Sequence, residues 1–270
     1  MDKKVTFGFI GCGNMGGALA LAVSKAVGGD SVFLCDACPE KAETLAKTVS
    51  AQVETVESVA KNCDYIFLGV KPQVFEALFD QIRPTLAARK DDFVLVSMAA
   101  GLSISAVQVM AGCEPAIIRI MPNTPVSVGE GMILYCTNSK TEEEQIELFC
   151  KALAKAGKLD PISEDKIDAA SALSGCGPAF VYLFAEALAD GAVECGLPRD
   201  KAMLYAAQTL LGAATLLSKT GKHPGELKDA VCSPGGTTIA GVHALENGAF
   251  RASAMNAVSA AYEKTLKLKK

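Results

Sequence analysis

Two patterns of hydrophobic and polar positions follow one another along the 270 residues of the chain. In the first half, short apolar runs rich in Val, Ile and Phe alternate with segments whose apolar residues recur at helical spacing. Such runs are typical of parallel strands that are buried on both faces. The predicted strands are Val5–Ile10, Val32–Cys35, Tyr65–Val70, Phe93–Met98, Ile117–Met121, Met132–Cys136 and Lys158–Ile162.

Helices are predicted between these strands. They cover Met15–Lys25, Glu40–Val49, Gln73–Ile82 and Ser103–Met110, and a further charged helix begins near Glu142. Because strands and helices alternate, the pattern predicts an α/β fold built on a doubly wound sheet with right-handed crossovers.

The pattern changes from Ser163 onward. Ser163-Glu164-Asp165 is typical of a helix start, with a capping side chain followed by acids in the first turn. The helices predicted after it are Asp168–Leu173, Ala179–Cys195, Asp200–Lys219, Thr237–Asn247 and Ala252–Leu266, separated by Gly/Pro-rich breaks. We therefore expect an α/β domain over residues 1–162 and an all-helical domain over residues 163–270.

The helices of the second domain are rich in Ala and nearly uncharged around much of their circumference. A small domain cannot easily bury so much apolar surface alone, so we expect at least an intertwined homodimer that shares its core. The uncharged stretches Ala169–Ala185 and Ala202–Ser218 are shorter than the ~20 residues of a membrane-spanning helix, and no membrane contact is expected.

Charge and cysteine content narrow the possible partners further. The net charge of −4 and the pI of about 5.4 give no electrostatic footprint for nucleic acid. The chain opens Met1-Asp2-Lys3-Lys4 without a signal peptide, so a cytoplasmic location and reduced thiols are expected. Cys35 and Cys38 lack the second pair or the nearby His that a metal site requires, and no metal is predicted.

A glycine-rich turn follows the first predicted strand and opens the first predicted helix. It consists of Gly11, Cys12, Gly13, Asn14, Met15 and Gly16. In this context the spacing is typical of a Rossmann-type dinucleotide site. The first glycine permits the tight turn, the second lets a diphosphate approach the backbone, and the third lets the helix pack on the strand. The helix N-terminus offers free N–H groups to the phosphates.

Residues at the ends of other strands extend this cofactor site. Asp36 and Ala37 follow the second strand, where a carboxylate accepts hydrogen bonds from the adenosine ribose and repels a 2′-phosphate. That favours NADH, although Lys41 could reach a phosphate, so both NADPH and NADH stay open. Two further loops are expected to contact the cofactor, Val70-Lys71-Pro72 and Ala99-Ala100-Gly101. An ordinary surface lysine before a turn proline is the alternative for Lys71.

A second candidate site is the turn Ser233-Pro234-Gly235-Gly236, which is followed by Thr237 and Thr238 at a predicted helix start. Exposed N–H groups and hydroxyls at a helix start suit a carboxylate without requiring an arginine. A capped helix start without a ligand is the more common explanation of such residues, and the turn by itself leaves both open.

Five segments together resemble the pyrroline-5-carboxylate reductase family. They are Phe9–Gly16, Val70–Pro72, Arg119–Pro125, Ser174–Ala179 and Ser233–Ile239, in the family's order and spacing. The resemblance implies NADPH- or NADH-dependent hydride transfer to the cyclic imine 1-pyrroline-5-carboxylate, which gives L-proline in the last step of proline biosynthesis. It also implies an interlocked dimer, in some members a ring of dimers. The active site of the family lies between the nucleotide domain and the helical domain, with the partner contributing.

The resemblance also assigns roles to individual residues. The expected substrate-binding residues are Ser233, Gly236, Thr237, Thr238 and Glu164. The first three would hold the substrate carboxylate, and Thr238 would approach the ring nitrogen as the catalytic residue. Glu164 matches a position at which an acid approaches the proline site in some members.

The chain departs from the family pattern at two positions and leaves two other functions to consider. Some relatives carry Asn where Ala230 stands, and many carry Ser where Cys176 stands. A β-hydroxyacid dehydrogenase would need a Lys near the start of the helical domain, and Asp168–Tyr182 contains none. A non-catalytic dinucleotide-binding protein would not need the turn Ser233–Thr238.

Overall fold

The computed structural model describes residues 4–268, apart from the side chain of Leu268, so Met1–Lys3 of the predicted leaderless start lie outside the described residues. The strands are β1 (Phe7–Ile10), β2 (Val32–Cys35), β3 (Gln52–Val53), β4 (Tyr65–Leu68), β5 (Val94–Ser97), β6 (Ala116–Pro122), β7 (Gly131–Thr137) and β8 (Gly157–Pro161). They form one sheet in the order β3-β2-β1-β4-β5-β6-β7-β8. Strands β1 to β6 are parallel, β7 is antiparallel to β6, and β8 is parallel to β7.

Helices follow most of the strands and form the regular structure of the second half of the chain. They are α1 (Asn14–Val27), α2 (Pro39–Val49), α3 (Val56–Asn62), α4 (Phe75–Ala88), α5 (Ile104–Ala111), α6 (Glu143–Ala152), α7 (Glu164–Ser174), α8 (Gly177–Glu194), α9 (Arg199–Thr220), α10 (Pro224–Ala230), α11 (Thr237–Asn247) and α12 (Phe250–Leu268). The predicted α/β first half and helical second half are thus confirmed.

Three short elements were not predicted from the sequence. Strand β3 has two residues, both exposed, so it carries no hydrophobic pattern. Helix α3 is marked mainly by its cap, where the Thr55 hydroxyl accepts a hydrogen bond from the Ser58 N–H. Helix α10 begins where the sequence suggested a break, because Pro224 stands at its first turn and His223 caps it.

The five central strands of the sheet are largely buried on both faces, which explains their continuous apolar sequences. They are β1, β2, β4, β5 and β6. On one face, α1 and α6 pack against β1 and β4, with Leu19 and Phe149 fully buried. On the other face, α3, α4 and α5 cover the sheet through residues such as Phe79. Phe9 and Phe67 stack across β1 and β4 with ring centroids 4.4 Å apart. Because β1, β2, β4 and β5 are parallel, their carboxyl ends lie along one edge of the sheet.

The chain divides into two compact units. The first contains the sheet, α1 to α7 and the end of α12 from Ala261, and the second covers Gly177–Ala260. Helix α7 therefore packs with the sheet, although it begins directly after the predicted boundary at residues 162 and 163.

The second unit buries few side chains within one chain. Helices α8 and α9 pack through a small core centred on Ala189, Ala202 and Ala206. Large apolar side chains on the same helices stay exposed, among them Leu183 at 68% and Leu204 at 57%. A single copy of this unit thus leaves most of its apolar surface in water.

One part of the chain meets the length and composition criteria of a membrane-spanning helix. It is Glu164–Glu194, which contains α7 and α8 and has a mean hydropathy of 1.4. The core helix of a soluble protein can meet the same criteria, so this observation is weak evidence for a membrane segment.

Candidate active site

The glycine turn between β1 and α1 is closed by contacts that only glycine permits. Gly11 has a φ of +102°, which lies in the left-handed region. Its N–H donates to the Cys35 carbonyl at 2.8 Å. A Cβ built on Gly16 would lie 2.0 Å from the Gly11 carbonyl oxygen, so any side chain there would force α1 away from β1.

The start of α1 is open, in contrast to the starts of α3 and α5. Helix α5 is capped by Ser103, whose hydroxyl accepts a hydrogen bond from the Ala106 N–H, whereas Gly13 gives α1 no side-chain cap. A Cβ built on Gly13 would meet nothing within 4 Å in the described part of the chain. The uncapped amides and the space beside them fit a diphosphate at the positive end of the helix dipole.

The Asp36 carboxylate lies beside this turn and is held by two backbone amides. Its Oδ2 accepts a hydrogen bond from the Cys12 N–H at 2.7 Å, and its Oδ1 accepts one from the Cys38 N–H at 2.9 Å. Burial and the Asp36 charge raise the pKa of the Cys12 thiol to about 12. The turn therefore carries a neutral thiol near pH 7, which adds no charge against a phosphate.

The remaining predicted cofactor residues lie at the same edge of the sheet. Val70 and Lys71 follow β4 and lead into a 3-10 turn that starts at Pro72. Ala99 is buried after β5, and Gly101 has a φ of +80°. With Ala37 after β2, the structure brings these loops together with the glycine turn at the carboxyl ends of adjacent strands.

A cluster of ion pairs is centred on the buried Arg119, in the middle of β6. Arg119, opposite Ser97 at the end of β5, has a side chain that is 3% exposed. Its Nη2 donates to Asp168 Oδ1 at 2.7 Å, and its Nη1 donates to Glu164 Oε1 at 3.2 Å. The same Oε1 accepts a hydrogen bond from the Ile104 N–H at 2.7 Å, at the start of α5. The predicted substrate residue Glu164 is thus tied to the sheet unit.

Sequence reasoning placed Arg119 in a family segment without a role and did not single out Asp168. A signal was available, because a lone arginine interrupts the apolar strand β6 while Glu164 and Asp168 are four residues apart on one helix face. What could not be read was that both helical acids meet the same strand arginine.

Asn123, which belongs to the same family segment as Arg119, has a structural role. Its Oδ1 accepts a hydrogen bond from the Met132 N–H at 2.8 Å, and its Nδ2 donates to the Ser174 carbonyl at 2.9 Å. The side chain joins the start of β7 to the end of α7 and so fixes the helix that carries Glu164.

The turn before α11 lies in the second unit and is shaped by its glycines. Gly235 has a φ of +70°, and the Gly236 N–H donates to the Ser233 carbonyl at 3.0 Å. A Cβ on Gly236 would lie 2.5 Å from Ser233 Oγ. No side chain caps α11, and Thr237 and Thr238 are exposed. The helix start is thus uncapped and exposed, and its role as an anion site stays a prediction.

Within residues 4–268, no group of three His, Cys, Asp or Glu side chains is arranged to hold a metal ion. All ten cysteines are free thiols. The Cys35 thiol is buried and the Cys38 thiol is exposed.

Comparison with known proteins identifies the family. The family described as "Pyrroline-5-carboxylate reductase dimerisation" matches residues 164–268, and "NADP oxidoreductase coenzyme F420-dependent" matches residues 6–101. Pyrroline-5-carboxylate reductase of Arabidopsis thaliana is 42% identical over 97% of this chain and 94% of its own length. The Escherichia coli (strain K12) reductase is 38% identical over the full length of both chains.

A solved structure also resembles this chain in fold. The crystal structure of Plasmodium falciparum pyrroline carboxylate reductase with NADP bound superposes with a TM-score of 0.87 at 34% identity, covering 99% of each chain. The sequence resemblance is thereby confirmed, and the chain belongs to the pyrroline-5-carboxylate reductase family.

Proposed function

We propose that this chain reduces 1-pyrroline-5-carboxylate to L-proline with NADPH or NADH, the last step of proline biosynthesis. The observation that carries the proposal is the 42% identity to a pyrroline-5-carboxylate reductase across 97% of the chain. That span includes both the glycine turn after β1 and the turn before α11.

The glycine turn and the neighbouring strand ends are the proposed cofactor site. The open amides at the start of α1 would hold the diphosphate, and Asp36 would face the adenosine ribose. Val70, Lys71 and Pro72 would border the other ribose and phosphate, and the small residues 99–101 would let the nicotinamide ring lie close to the backbone. When bound, the cofactor supplies the hydride.

The turn before α11 is the proposed substrate site. Ser233, Gly236 and Thr237 would hold the substrate carboxylate through a hydroxyl and backbone N–H groups, since no side chain caps the helix start. The Gly236 N–H, which donates to the Ser233 carbonyl within the turn, would share its hydrogen with the carboxylate. Thr238 would orient the protonated ring nitrogen, whose N–H would donate a hydrogen bond to the threonine hydroxyl oxygen. An imine accepts hydride best when its nitrogen is protonated, so orientation of a protonated imine would supply most of the acceleration.

The test is a spectrophotometric assay with purified protein, 1-pyrroline-5-carboxylate and either cofactor. Loss of reduced-cofactor absorbance is expected for the wild type. The substitution Thr238→Ala should lower kcat about a hundredfold because the nitrogen loses its hydrogen-bond partner, with NADH binding nearly unchanged. Thr48→Ala on α2 is the matched control, since it removes an exposed hydroxyl that bonds only the Thr44 carbonyl.

Two results would count against the proposal. Wild-type turnover by Thr238→Ala would remove Thr238 from the mechanism. If the wild type left the imine unchanged and instead reduced NAD⁺ with a β-hydroxyacid, a hydroxyacid dehydrogenase would be the better assignment.

The proposed organisation divides the chain by role at residues 162 and 163. The dimerisation match from residue 164 supports this division, even though α7 packs with the sheet. The exposed apolar surface of α8 and α9 supports at least an intertwined homodimer, in which a partner covers these two helices in place of a membrane. A ring of dimers, a cytoplasmic location and the absence of nucleic-acid partners complete the proposal, the last supported by the net charge of −4.

A further inference from the structure

We propose that Arg119 is a positioning residue that fixes Glu164 as the counter-charge for the protonated imine. The inference rests on the proposed function and deepens it. It concerns a contact within the first unit and gives a role to a buried arginine that the reaction itself does not need.

The hydrogen bonds of Glu164 are unevenly distributed over its two oxygens. Oε1 accepts from both the Ile104 N–H and Arg119 Nη1. Among the described residues, Oε2 accepts no hydrogen bond. The side chain is 35% exposed, and within the described residues only Oε1 is held by hydrogen bonds.

Glu164 lies at a cavity next to the expected nicotinamide loop. Glu164 lines a cavity of about 370 Å³ together with Arg119, Gly101 and Ser103. Gly101 ends the loop after β5 that is proposed to lie against the nicotinamide ring. A carboxylate here would face the ring nitrogen of a substrate whose reacting carbon meets the cofactor.

Neutralisation of Asp168 alone does not account for this arrangement. Asp168 is 3% exposed and receives Arg119 Nη2 at 2.7 Å, which provides a counter-charge for the buried acid. The second donor, Nη1, is directed to the half-exposed Glu164, where water could serve instead. A planar guanidinium can join the two acids in one fixed geometry, whereas a lysine ammonium cannot reproduce this fork.

A prepositioned carboxylate would act mainly on substrate binding. The protonated imine carries a positive charge that hydride addition to the ring carbon removes, as the C=N electron pair moves to nitrogen. The attraction to Glu164 is therefore present when the imine binds and weakens during the transfer. Loss of the contact should raise KM more than it lowers kcat.

The experiment is a double-mutant cycle on Arg119 and Glu164 in the full-length protein. Wild type, Arg119→Lys, Arg119→Met, Glu164→Gln and Arg119→Lys/Glu164→Gln are compared for KM of the imine, kcat, cofactor Kd and Tm. Glu164→Gln keeps an acceptor for Ile104 but removes the charge, so its KM should rise about tenfold. Arg119→Met should raise KM more than Arg119→Lys, and the double variant should match Glu164→Gln alone.

Arg89→Lys is the matched control. Arg89 is equally buried and pairs with Asp91 and the carbonyls of Ala60 and Cys63. It should lower Tm as Arg119→Lys does and leave KM unchanged. If Arg119→Met does not fold, the cycle with Arg119→Lys still decides the question.

Additive effects of Arg119→Lys and Glu164→Gln on KM, or a fall in kcat without a rise in KM, would overturn the positioning role while the reductase assignment stands. No imine turnover by the wild type would overturn the reductase assignment and this inference with it.

Discussion

At the scale of single residues, one negative charge lies beside the glycine turn of the proposed cofactor site. Asp36 is the only acid bonded to the turn among the described residues, and both of its oxygens are engaged by backbone amides. The two bonds prevent the carboxylate from rotating away from an incoming phosphate. The sequence-based preference for NADH stays a prediction, which concerns the negative charge that these two bonds hold at the turn.

The substitution Asp36→Asn should move cofactor preference towards NADPH. The amide keeps one acceptor and removes the charge that would repel a 2′-phosphate. We expect the ratio of kcat/KM for NADH to that for NADPH to fall about tenfold, or ~1.4 kcal/mol. Loss of one bond to the turn affects both cofactors and cancels in this ratio. Glu43→Gln on α2 is the control, and an unchanged ratio in Asp36→Asn would exclude the role of the charge.

The buried thiols should make the fold sensitive to alkali. Burial raises the pKa of the Cys35 and Cys63 thiols from 9.0 to about 12. Between pH 9 and pH 12 the unfolded chain therefore releases protons that the folded chain retains, so stability is full below pH 9 and falls as the pH rises through this window.

Urea unfolding at pH 8 and pH 10.5 checks this expectation. The free energy of unfolding should fall between the two values, and the fall should be smaller in Cys35→Ala by about 1–2 kcal/mol. The control Cys38→Ala removes an exposed thiol and should keep the wild-type dependence. An identical fall in Cys35→Ala would show that other groups cause it.

At the scale of elements, β1, the glycine turn and α1 form one motif, in which the glycines have different structural roles. Gly16 allows helix and turn to touch, because no side chain fits 2.0 Å from the Gly11 carbonyl oxygen. Gly13 has no close neighbour and an extended backbone, with φ −68° and ψ −168°, so the fold tolerates a side chain there. Gly16 is thus needed for helix packing, whereas Gly13 leaves space for a bound diphosphate.

Two alanine substitutions separate these tasks. Gly16→Ala should destabilise the fold by about 1–3 kcal/mol or more, as overpacking does, and weaken cofactor binding with it. Gly13→Ala should leave Tm unchanged and still weaken binding, because its methyl group would occupy the space left for the diphosphate. Denaturation curves and cofactor titration measure both. Normal binding by Gly13→Ala would place the diphosphate elsewhere.

At the scale of the whole molecule, the two units differ in how much core they possess. The sheet unit has continuous clusters on both faces of the sheet. The unit Gly177–Ala260 has a small alanine core and exposes large apolar side chains. Such a surface is larger than single exposed residues explain and is typical of a subunit interface.

Light scattering coupled to size-exclusion chromatography should find at least twice the 28.0 kDa of one chain. Leu183→Glu on α8 or Leu204→Glu on α9 should shift the mass towards the monomer, because a charge would then be buried in the shared core. Val109→Glu on α5 is the control, since Val109 is 79% exposed but belongs to the sheet unit. A wild-type monomer at micromolar concentration would contradict the dimer.

The sequence by itself determined the order of strands and helices, the glycine turn and the family. These are local properties, because hydrophobic periodicity and turn residues act over a few neighbouring positions. Helix α11 was predicted with its observed bounds of Thr237–Asn247, since Gly236 and Gly248 mark its ends. Where the local signal was weak, as in the two residues of β3, the prediction missed the element.

Only the tertiary structure decided which distant residues meet. The reversal of β7, the packing of α7 with the sheet and the contact of Arg119 with Glu164 and Asp168 join positions up to 49 residues apart. No periodicity encodes such pairings, because they arise when separate elements bury their apolar faces against a common sheet. The residues of the glycine turn could be read from the sequence, whereas the charges that surround Glu164 required the fold.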